Sequence, residues 1–358
     1  PGGRGIRMIP ITAKPGGVLA SPVRVQRRIV DCLRRGYNRD RLAKYHVGTA
    51  GWSYEDWDGI VYPVPKPRGF HALPYLADYI DIVEVNSTFY RPASAALTLS
   101  WLKKVDDRPD FLFSLKLHQV FTHTRKDYTQ KDVDEFKTAA DLIRLRGRLA
   151  ALLIQFPWSY ANTPANTDYL LRLFVLFAGY PLAVEVRHGS WDGRGFYELL
   201  RENGAAFCNI DQPVFKNSIE PSAVSTSPEF AYVRFHGRNH ENWFREGAGR
   251  DARYDYLYSK DELGEWITRI KELGTKSGKV YVITNNHYRG QAMANALQIR
   301  NMITGDKVDV PDLLLEKYPV LREIVRRIRA GQRDLFPADG SGAGRSGEER
   351  AGSRRRAR

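Results

Sequence analysis

Eight short apolar runs alternate with longer segments of helical period, and this alternation constrains the fold more than any other feature of the chain. The runs predict β-strands at 45–50, 80–85, 111–117, 151–156, 182–186, 205–210, 230–235 and 279–284. Helical periodicity predicts helices around 71–79, 94–105, 131–147, 165–178, 195–203, 260–273 and 290–303, and only the connection 212–229 lacks it. Strands joined by crossovers of a dozen or more residues pair in parallel. The pattern therefore predicts an α/β fold with a parallel sheet.

Eight repeated units favour a closed barrel over an open doubly wound sheet. An open sheet of the nucleotide-binding kind carries a glycine-rich phosphate loop after its first strand. Here that turn reads GTAGWS at 48–53, which is neither GxGxxG nor a P-loop. We predict a (β/α)8 TIM barrel over residues 45–330, ended by a helix at 311–330 that packs on the barrel through its apolar positions.

The formal charge of +14 over 358 residues lies mainly at the two ends of the chain. Residues 1–44 hold eleven Lys and Arg against two acids, and residues 331–358 hold seven against four. The body between them is close to neutral, with 37 basic and 35 acidic residues. Both ends are rich in glycine, with proline, serine or arginine, so we predict disordered basic extensions. They are either solvated tails or contacts to nucleic acid through counterion release.

Cysteine content and hydropathy indicate the cellular compartment. No apolar run is long enough to cross a bilayer, and the first residues lack the apolar core of a secretory signal, so we expect a cytoplasmic protein with no membrane partner. Cys32 and Cys208 are far apart in sequence, which argues against a disulfide framework or a structural zinc site. Cys208 lies in an apolar run and is predicted to be a core residue.

The C-terminal ends of the strands carry charged side chains, and in a TIM barrel this is the end that forms the active site. Alternation places Glu84 in strand two and Glu185 in strand five on equivalent inner positions, each between two valines. A buried carboxylate needs a partner because an unpaired charge is costly to bury. Lys116 in the neighbouring strand three is a candidate partner of Glu84.

Other strands end in polar groups that could bind a ligand. Strand six contributes Asn209 or Asp211, and the remaining predicted contacts are Asn86, His118, Gln155, Arg187, Arg234, Asn285 and Asn286. One interpretation is a structural ion-pair network that fills the barrel. The other is an active site for an anionic ligand, with Lys116, Arg187 and Arg234 neutralising a phosphate or carboxylate. In that site Glu84, Glu185 or His236 acts as general acid or base, and a glycosidase-like pair of carboxylates is a further alternative.

Histidines and aromatic residues follow the same strands. His118, His123, His188, His236, His240 and His287 could supply metal ligands together with Glu84, Glu185 or Asp211. No single element shows ligand spacing, and the nearby cations would repel a metal, so we predict no metal site and identify no cofactor. The rim aromatics could stack on bases or sugars, and Trp52, Tyr90 and Trp191, which stand closest to the charged positions, are predicted ligand contacts. The charged, glycine-containing loop 237–258 is predicted to be a mobile lid or a binding arm.

Seven motifs in order resemble one known family. They are HVGTAGWSYEDW (46–57), VEVNSTFY (83–90), FTH (121–123), QFP (155–157), EVRHGSW (185–191), YVRFHG (232–237) and NNH with ANA (285–287 and 294–296). The chain resembles the YecE-like family, also known as domain of unknown function 72. The resemblance implies a TIM barrel but no established reaction. Similar barrels include metal-dependent endonucleases and sugar isomerases, and the basic ends lie outside the family pattern.

The sequence leaves several function classes open. The first hypothesis is an enzyme that acts on a phosphorylated or other anionic ligand, including a phosphodiester or nucleic acid, at the strand ends. The second is a noncatalytic module that binds nucleic acid through the basic ends and rim aromatics. The third is a sugar isomerase or a glycoside hydrolase. The expected partner is accordingly an anionic small molecule or a nucleic acid.

Overall fold

Eight parallel strands close into a barrel in which each strand pairs with its neighbours in sequence and β8 returns to β1. A computed structural model describes residues 43–245, 247 and 249–326. The strands are β1 (Lys44–Ala50), β2 (Ile82–Val85), β3 (Leu112–Lys116), β4 (Leu149–Gln155), β5 (Leu182–Glu185), β6 (Ala206–Asp211), β7 (Ala231–Phe235) and β8 (Lys279–Thr284). Their order and number confirm the predicted (β/α)8 TIM barrel.

Helices follow most strands and cover the outside of the barrel. They are α1 (Ala72–Ala77), α2 (Ser87–Tyr90), α3 (Ala95–Lys104), α4 (Gln130–Leu145), α5 (Pro164–Leu176), α6 (Arg194–Glu202), α7 (Gly249–Arg253), α8 (Lys260–Lys276), α9 (Gln291–Thr304) and α10 (Asp312–Lys317). Thr129 and Ser259 start α4 and α8 with capping boxes, which explains why these long helices begin where they do. As expected, the connection 212–229 contains no helix.

The predicted final helix at 311–330 is wrong in its length. The structure has the short helix α10, then Tyr318 in a non-helical conformation, then a 3₁₀ turn at Pro319–Glu323. Proline has no backbone N–H and clashes with the preceding turn, so the helix stops before it. Leu314 and Leu321 are fully buried, so the segment still packs on the barrel as expected.

Gly48 of β1 lies opposite Ile82 of β2. A Cβ atom built at this position would lie 1.7 Å from the carbonyl oxygen of Ile82, its register partner in β2. No side chain can occupy that space without displacing backbone. Glycine in the middle of this strand is therefore a requirement of close strand approach.

The inside of the barrel holds a polar layer near the C-terminal ends of the strands. Tyr232 of β7 reaches across the barrel, and its hydroxyl lies 2.8 Å from Ser114 Oγ of β3 and 3.0 Å from Glu84 Oε2 of β2. Valines and isoleucines at the alternate strand positions are buried in the apolar core. This alternation places the charged strand residues inside the barrel rather than against the helices.

The two predicted basic extensions, 1–44 and 331–358, fall almost wholly outside the described residues, so their disorder and the domain boundaries at 45 and 330 stay predictions. Cys32 also lies outside them. Of the helices within the described ranges, none is both long and apolar enough to cross a bilayer. The expected cytoplasmic location stays a prediction.

Candidate functional site

Arg234 lies at the centre of the site and bridges the two valine-flanked carboxylates. Its Nη2 donates to Glu84 Oε1 at 2.6 Å, and its Nη1 donates to Glu185 Oε2. Both glutamates have no exposed surface, and Arg234 is 2% exposed. Strand β7 thus supplies one guanidinium that satisfies carboxylates from β2 and β5.

Glu185 also binds two side chains from its own end of the barrel. Arg187 donates to its Oε1 through Nε at 3.0 Å and Nη2 at 2.8 Å. His236 Nε2 lies 3.2 Å from the same oxygen. Asn285 Nδ2 lies 3.0 Å from His236 Nδ1, and Arg187 Nη2 lies 3.3 Å from His236 Nε2, so donor groups face both ring nitrogens of the imidazole.

The protonation states of this cluster follow from burial and charge. Burial raises the pKa of Glu185, but Arg234, His236 and Arg187 outweigh it and hold that pKa well below its usual range. Burial is also the main reason that the pKa of His236 falls to about 3, with Arg187 and Arg234 adding to the effect against the opposing charge of Glu185. At neutral pH, Glu185 is therefore a carboxylate and His236 a neutral imidazole.

The partner of Glu84 differs from the sequence prediction. Lys116 was expected to pair with it, but the structure gives Glu84 the guanidinium of Arg234 and the hydroxyl of Tyr232. The prediction is wrong because it considered only the neighbouring strand. In a closed barrel, long side chains of β7 cross the interior and reach β2 first.

Lys116 instead lies over the face of an aromatic ring. Its Nζ is 4.0 Å from the centroid of Phe89, a favourable cation–π position. Thr88 Oγ1 donates to the carbonyl oxygens of Val85 and Lys116, at 2.8 and 2.7 Å, and so ties the end of β2 to the end of β3. Burial, with a contribution from Arg234, lowers the pKa of Lys116 to about 7.

A cavity of about 100 Å³ opens above this cluster at the C-terminal end of the barrel. Seven of the predicted site residues line it: Asn86, Tyr90, Lys116, Gln155, Arg187, Arg234 and Asn285. The three predicted catalytic residues do not line it, since Glu84, Glu185 and His236 are wholly buried beneath it. The cavity surface therefore presents cations, amides and aromatic rings rather than carboxylates.

Four predicted ligand contacts lie elsewhere. Trp52 packs edge-on against Trp101 at 5.6 Å, and Trp191 is buried against Tyr160, whose carbonyl oxygen accepts from its Nε1 at 2.6 Å. His118 Nε2 lies 3.2 Å from the carbonyl oxygen of Tyr90, outside the cavity lining. Asn286 is buried on the helix side of β8, where its Nδ2 donates to Asn295 Oδ1 at 2.8 Å.

Four cavity residues were not among the predicted contacts: Tyr54, Phe89, Tyr254 and His287. Tyr54 stacks on His287, with ring centroids 4.5 Å apart, and Tyr254 lies 5.1 Å from the same imidazole. These rings come from the loops after β1, β7 and β8. Their position after strands was visible in sequence, but nothing in the sequence distinguished them from aromatic residues that pack within loops.

Strand six contributes differently from the expectation. Asn209 and Asp211 face the outer layer, where Asp211 Oδ1 accepts from Tyr258 at 2.6 Å and Asp211 Oδ2 accepts from Arg238 at 2.7 Å. The inward residue of this strand is Cys208, which is buried and lies 4.0 Å from Glu185 Oε2. The prediction therefore shifted the inner positions of β6 by one residue.

The loop after β7 reaches over the cluster from one side. Trp243 is 3% exposed and its ring lies 5.6 Å from the Arg187 guanidinium and 6.4 Å from His236. The predicted mobility of residues 237–258 stays a prediction. In the described part of the chain, no group of three or more His, Cys, Asp or Glu residues is arranged to hold a metal ion.

Comparison with known proteins gives consistent matches over the barrel. Residues 46–317 match a family model described as "Protein of unknown function DUF72". The chain is 29% identical over 271 residues to the UPF0759 protein YunF of Bacillus subtilis (strain 168), which covers 72% of this chain and 94% of YunF.

Solved structures of similar proteins have the same fold. A DUF72 family protein from Thermotoga maritima MSB8 is 35% identical, with a TM-score of 0.63, over 73% of this chain and 99% of that one. A DUF72 family protein from Enterococcus faecalis V583 is 23% identical, with a TM-score of 0.65, over 75% of this chain and 98% of that one. The second likeness shows the fold alone.

Proposed function

Because the chain belongs to the DUF72 family, whose description carries no reaction, we propose a function from its site: an enzyme that acts on a small anionic ligand bearing a phosphate or a carboxylate. The ligand binds in the cavity at the C-terminal end of the barrel. Arg187 and Lys116 supply the positive charge that it meets, and Asn86, Gln155 and Asn285 supply amide contacts.

The observation that carries this proposal is how the charges are distributed between the cavity and the layer beneath it. Both carboxylates are wholly buried, and Arg234, Arg187, His236 and Tyr232 occupy their oxygens. Arg187 uses Nε and Nη2 for Glu185, while its Nη1 makes no hydrogen bond to the described residues. The two glutamates balance Arg187 and Arg234, so protonated Lys116 is an excess positive charge at the cavity.

The cavity size supports a small ligand or a small anionic group on a larger one. A volume of about 100 Å³ corresponds to a few water molecules, at about 30 Å³ each in the liquid. Pockets for drug-sized ligands are several times larger, at about 300–1,000 Å³. Tyr90 at the rim is 61% exposed and is available to any part of a ligand that extends outside.

The geometry favours this proposal over glycoside hydrolysis. That chemistry needs two carboxyl groups beside the scissile bond, whereas Glu84 and Glu185 have no exposed surface and both contact Arg234. Nucleic-acid binding by the basic ends stays a separate prediction, because those ends lie outside the described residues.

The first test measures thermal unfolding of the full chain with inorganic phosphate, acetate or pyruvate, against acetone and against sodium chloride at equal ionic strength. An anion present at about 100 times its Kd stabilises the folded state by about 2.7 kcal/mol. We expect the anions to raise the Tm of the wild type, and Arg187→Gln to lose most of that rise.

Arg172→Gln is the matched control, because Arg172 is exposed on α5, away from the cavity. It should retain the full rise in Tm. If no anion raises the Tm beyond the chloride control, or if both variants respond equally, the proposed site is wrong. Mass spectrometry of small molecules retained on the purified chain then identifies the ligand, with Arg187→Gln for comparison.

A further inference from the structure

We propose that Lys116 is a nucleophile whose amine forms an imine with the carbonyl carbon of a small anionic aldehyde or ketone held beside it by Arg187. This inference rests on the proposed function and narrows it to a substrate class. The reacting group would be Lys116 Nζ at the end of β3, and the anionic group of the substrate would lie against Nη1 of Arg187.

The first observation is that Lys116 reaches the cavity without an acidic partner. Its Nζ makes no hydrogen bond or ion pair with the described residues, although two carboxylates lie close enough to influence its charge. Both carboxylates have other partners. Glu84 contacts Arg234 and Tyr232, and Glu185 contacts Arg187, Arg234 and His236. A lysine whose role was structural would be expected to use one of them.

The second observation is that the surroundings disfavour the protonated amine. The ammonium group would be buried next to the guanidiniums of Arg234 and Arg187, and these outweigh its favourable contact with the Phe89 ring. Burial and these charges bring the pKa of Lys116 to about 7, so about half of the amine is unprotonated at neutral pH. Desolvation and an adjacent cation are the two known means of activating a lysine nucleophile.

The third observation concerns Asn86, which lines the same cavity. Its Oδ1 is buried and has no hydrogen-bond partner among the described residues. An acceptor left without a partner costs free energy that a ligand hydroxyl could recover. The hydroxyl of a carbinolamine, formed where the carbonyl oxygen was, would provide such a donor.

The step is balanced without any oxidant or reductant. The nitrogen lone pair of Lys116 attacks the carbonyl carbon, the C=O π bond opens, and one amine proton moves to the oxygen to give a carbinolamine. The hydroxyl then takes a proton from solvent and leaves as water while the nitrogen lone pair forms the C=N bond, which gives the protonated imine. Hydrolysis reverses the step. The protonated imine restores a positive charge at Nζ, which the bound anionic group offsets.

The experiment traps the imine on the full chain with sodium borohydride. Pyruvate and glycolaldehyde phosphate serve as carboxylate and phosphate probes, acetone as the neutral ketone, and acetate as a competitor without a carbonyl. Intact mass and peptide mapping locate the reduced adduct. We expect one adduct, on Lys116, with at least one of the two anionic probes, little with acetone, and a loss of labelling when acetate is added.

Lys116→Met should abolish the adduct, whereas Lys103→Met, an exposed lysine of α3, should retain it. Absence of a Lys116 adduct with both anionic probes overturns the proposal, as does labelling spread equally over surface lysines. The two proposals can fail separately. A rise in Tm with pyruvate but no adduct would rule out imine formation and leave anion binding intact. No rise in Tm with any anion would rule out both proposals.

A second measurement does not depend on the choice of carbonyl probe. Cyanate modifies only unprotonated amines, and an ordinary lysine with a pKa near 10.4 is about a thousandfold less deprotonated at pH 7 than Lys116. We expect Lys116 to be carbamylated at least about tenfold faster than Lys103 at pH 7, with half-maximal rate near that pH. Equal rates at the two positions would overturn the proposal.

Discussion

Arg234 Nη2 lies 2.6 Å from Glu84 Oε1, although the two residues are 150 positions apart in sequence. The same guanidinium holds Glu185 through its other terminal nitrogen. One buried cation therefore bridges two buried anions from different strands, Arg187 supplies the second positive charge, and Arg234 forms the floor of the proposed ligand cavity.

Arg234→Met is expected to destabilise the barrel strongly. It leaves Glu84 without its cation and Glu185 with Arg187 alone, and breaking a buried ion pair by removing one partner costs about 3–5 kcal/mol. Urea unfolding followed by circular dichroism measures the change. Arg194→Met breaks an exposed pair with Glu198 and should leave the midpoint unchanged. A similarly small effect for Arg234→Met would contradict the assigned role.

Acid should unfold the protein through His236 and Glu185 together. The folded-state pKa of His236 is depressed to about 3, so between pH 6.5 and 3 the unfolded chain takes up a proton that the folded chain does not. Stability is lost as pH falls through this window, and the lowered pKa of Glu185 acts in the same direction.

His236→Asn should reduce the slope of unfolding free energy against pH in that window, by up to about 1.4 kcal/mol per pH unit for one proton. Urea midpoints between pH 4 and pH 6 provide the measurement. His240→Asn, at an exposed position, is the control. An unchanged slope in His236→Asn would show that the imidazole is charged in the folded state.

Lys116→Met should make the folded state more stable at neutral pH. Burial lowers the folded-state pKa of Lys116 to about 7, so the unfolded chain binds more protons between pH 7 and pH 10.5. The cost of burying the charge is fully present below pH 7 and disappears as pH rises above 10.5.

Lys116→Met should raise the free energy of unfolding by on the order of a few kcal/mol at pH 7 and below, and this increase should shrink toward pH 10. Denaturation midpoints from pH 6 to pH 10 provide the measurement, with Lys103→Met as control. A variant less stable than wild type at pH 7 would mean that Lys116 is a structural cation. Stability gained with function lost is the usual compromise at active sites.

Gly48→Ala should prevent normal pairing of β1 with β2. The added Cβ would lie 1.7 Å from the Ile82 carbonyl oxygen, and this backbone atom cannot move without breaking the register. We expect a loss of more than about 3 kcal/mol, comparable to severe core substitutions. The free energy of unfolding, or recovery of soluble protein, measures it.

Gly264→Ala is the matched control for Gly48→Ala. Gly264 lies inside α8, where the nearest atom to an added Cβ is Met302 Cε at 4.0 Å. Replacing a helix-interior glycine should stabilise the protein by about 0.5–1 kcal/mol. We expect Gly48→Ala to lower the free energy of unfolding and Gly264→Ala to raise it. Equal changes in the two variants would disprove the close approach at Gly48.

The fold was predictable because each strand is locally encoded. The runs around 45–50 and 279–284 lie within one residue of β1 and β8, and capping residues such as Thr129 and Ser259 define helix starts. The last segment was less predictable because periodic apolar residues continue past Pro319, where the backbone cannot remain helical.

The sequence predicted which types of residue form the site, but it did not predict which side chains bind each other. Alternation placed Glu84 and Glu185 inside correctly, yet it assigned Lys116 to Glu84, because distance across a closed barrel is not encoded in strand order. The sequence prediction also placed Asn209 and Asp211 inside the barrel, because it did not recognise that Cys208 is the β6 residue that faces inward. Burial of Trp191 depended on its stack with Tyr160, which no local pattern reveals.

The bridge from Arg234 also has a consequence for how the chain folds. Glu84 and Arg234 come from β2 and β7, so Glu84 meets this guanidinium only when the seventh strand is in place. Partly folded forms with only the early strands would hold Glu84 without Arg234, and its carboxylate would stay open to water. Closure must therefore wait for the seventh strand, and contacts of such long sequence separation are those that slow a folding reaction.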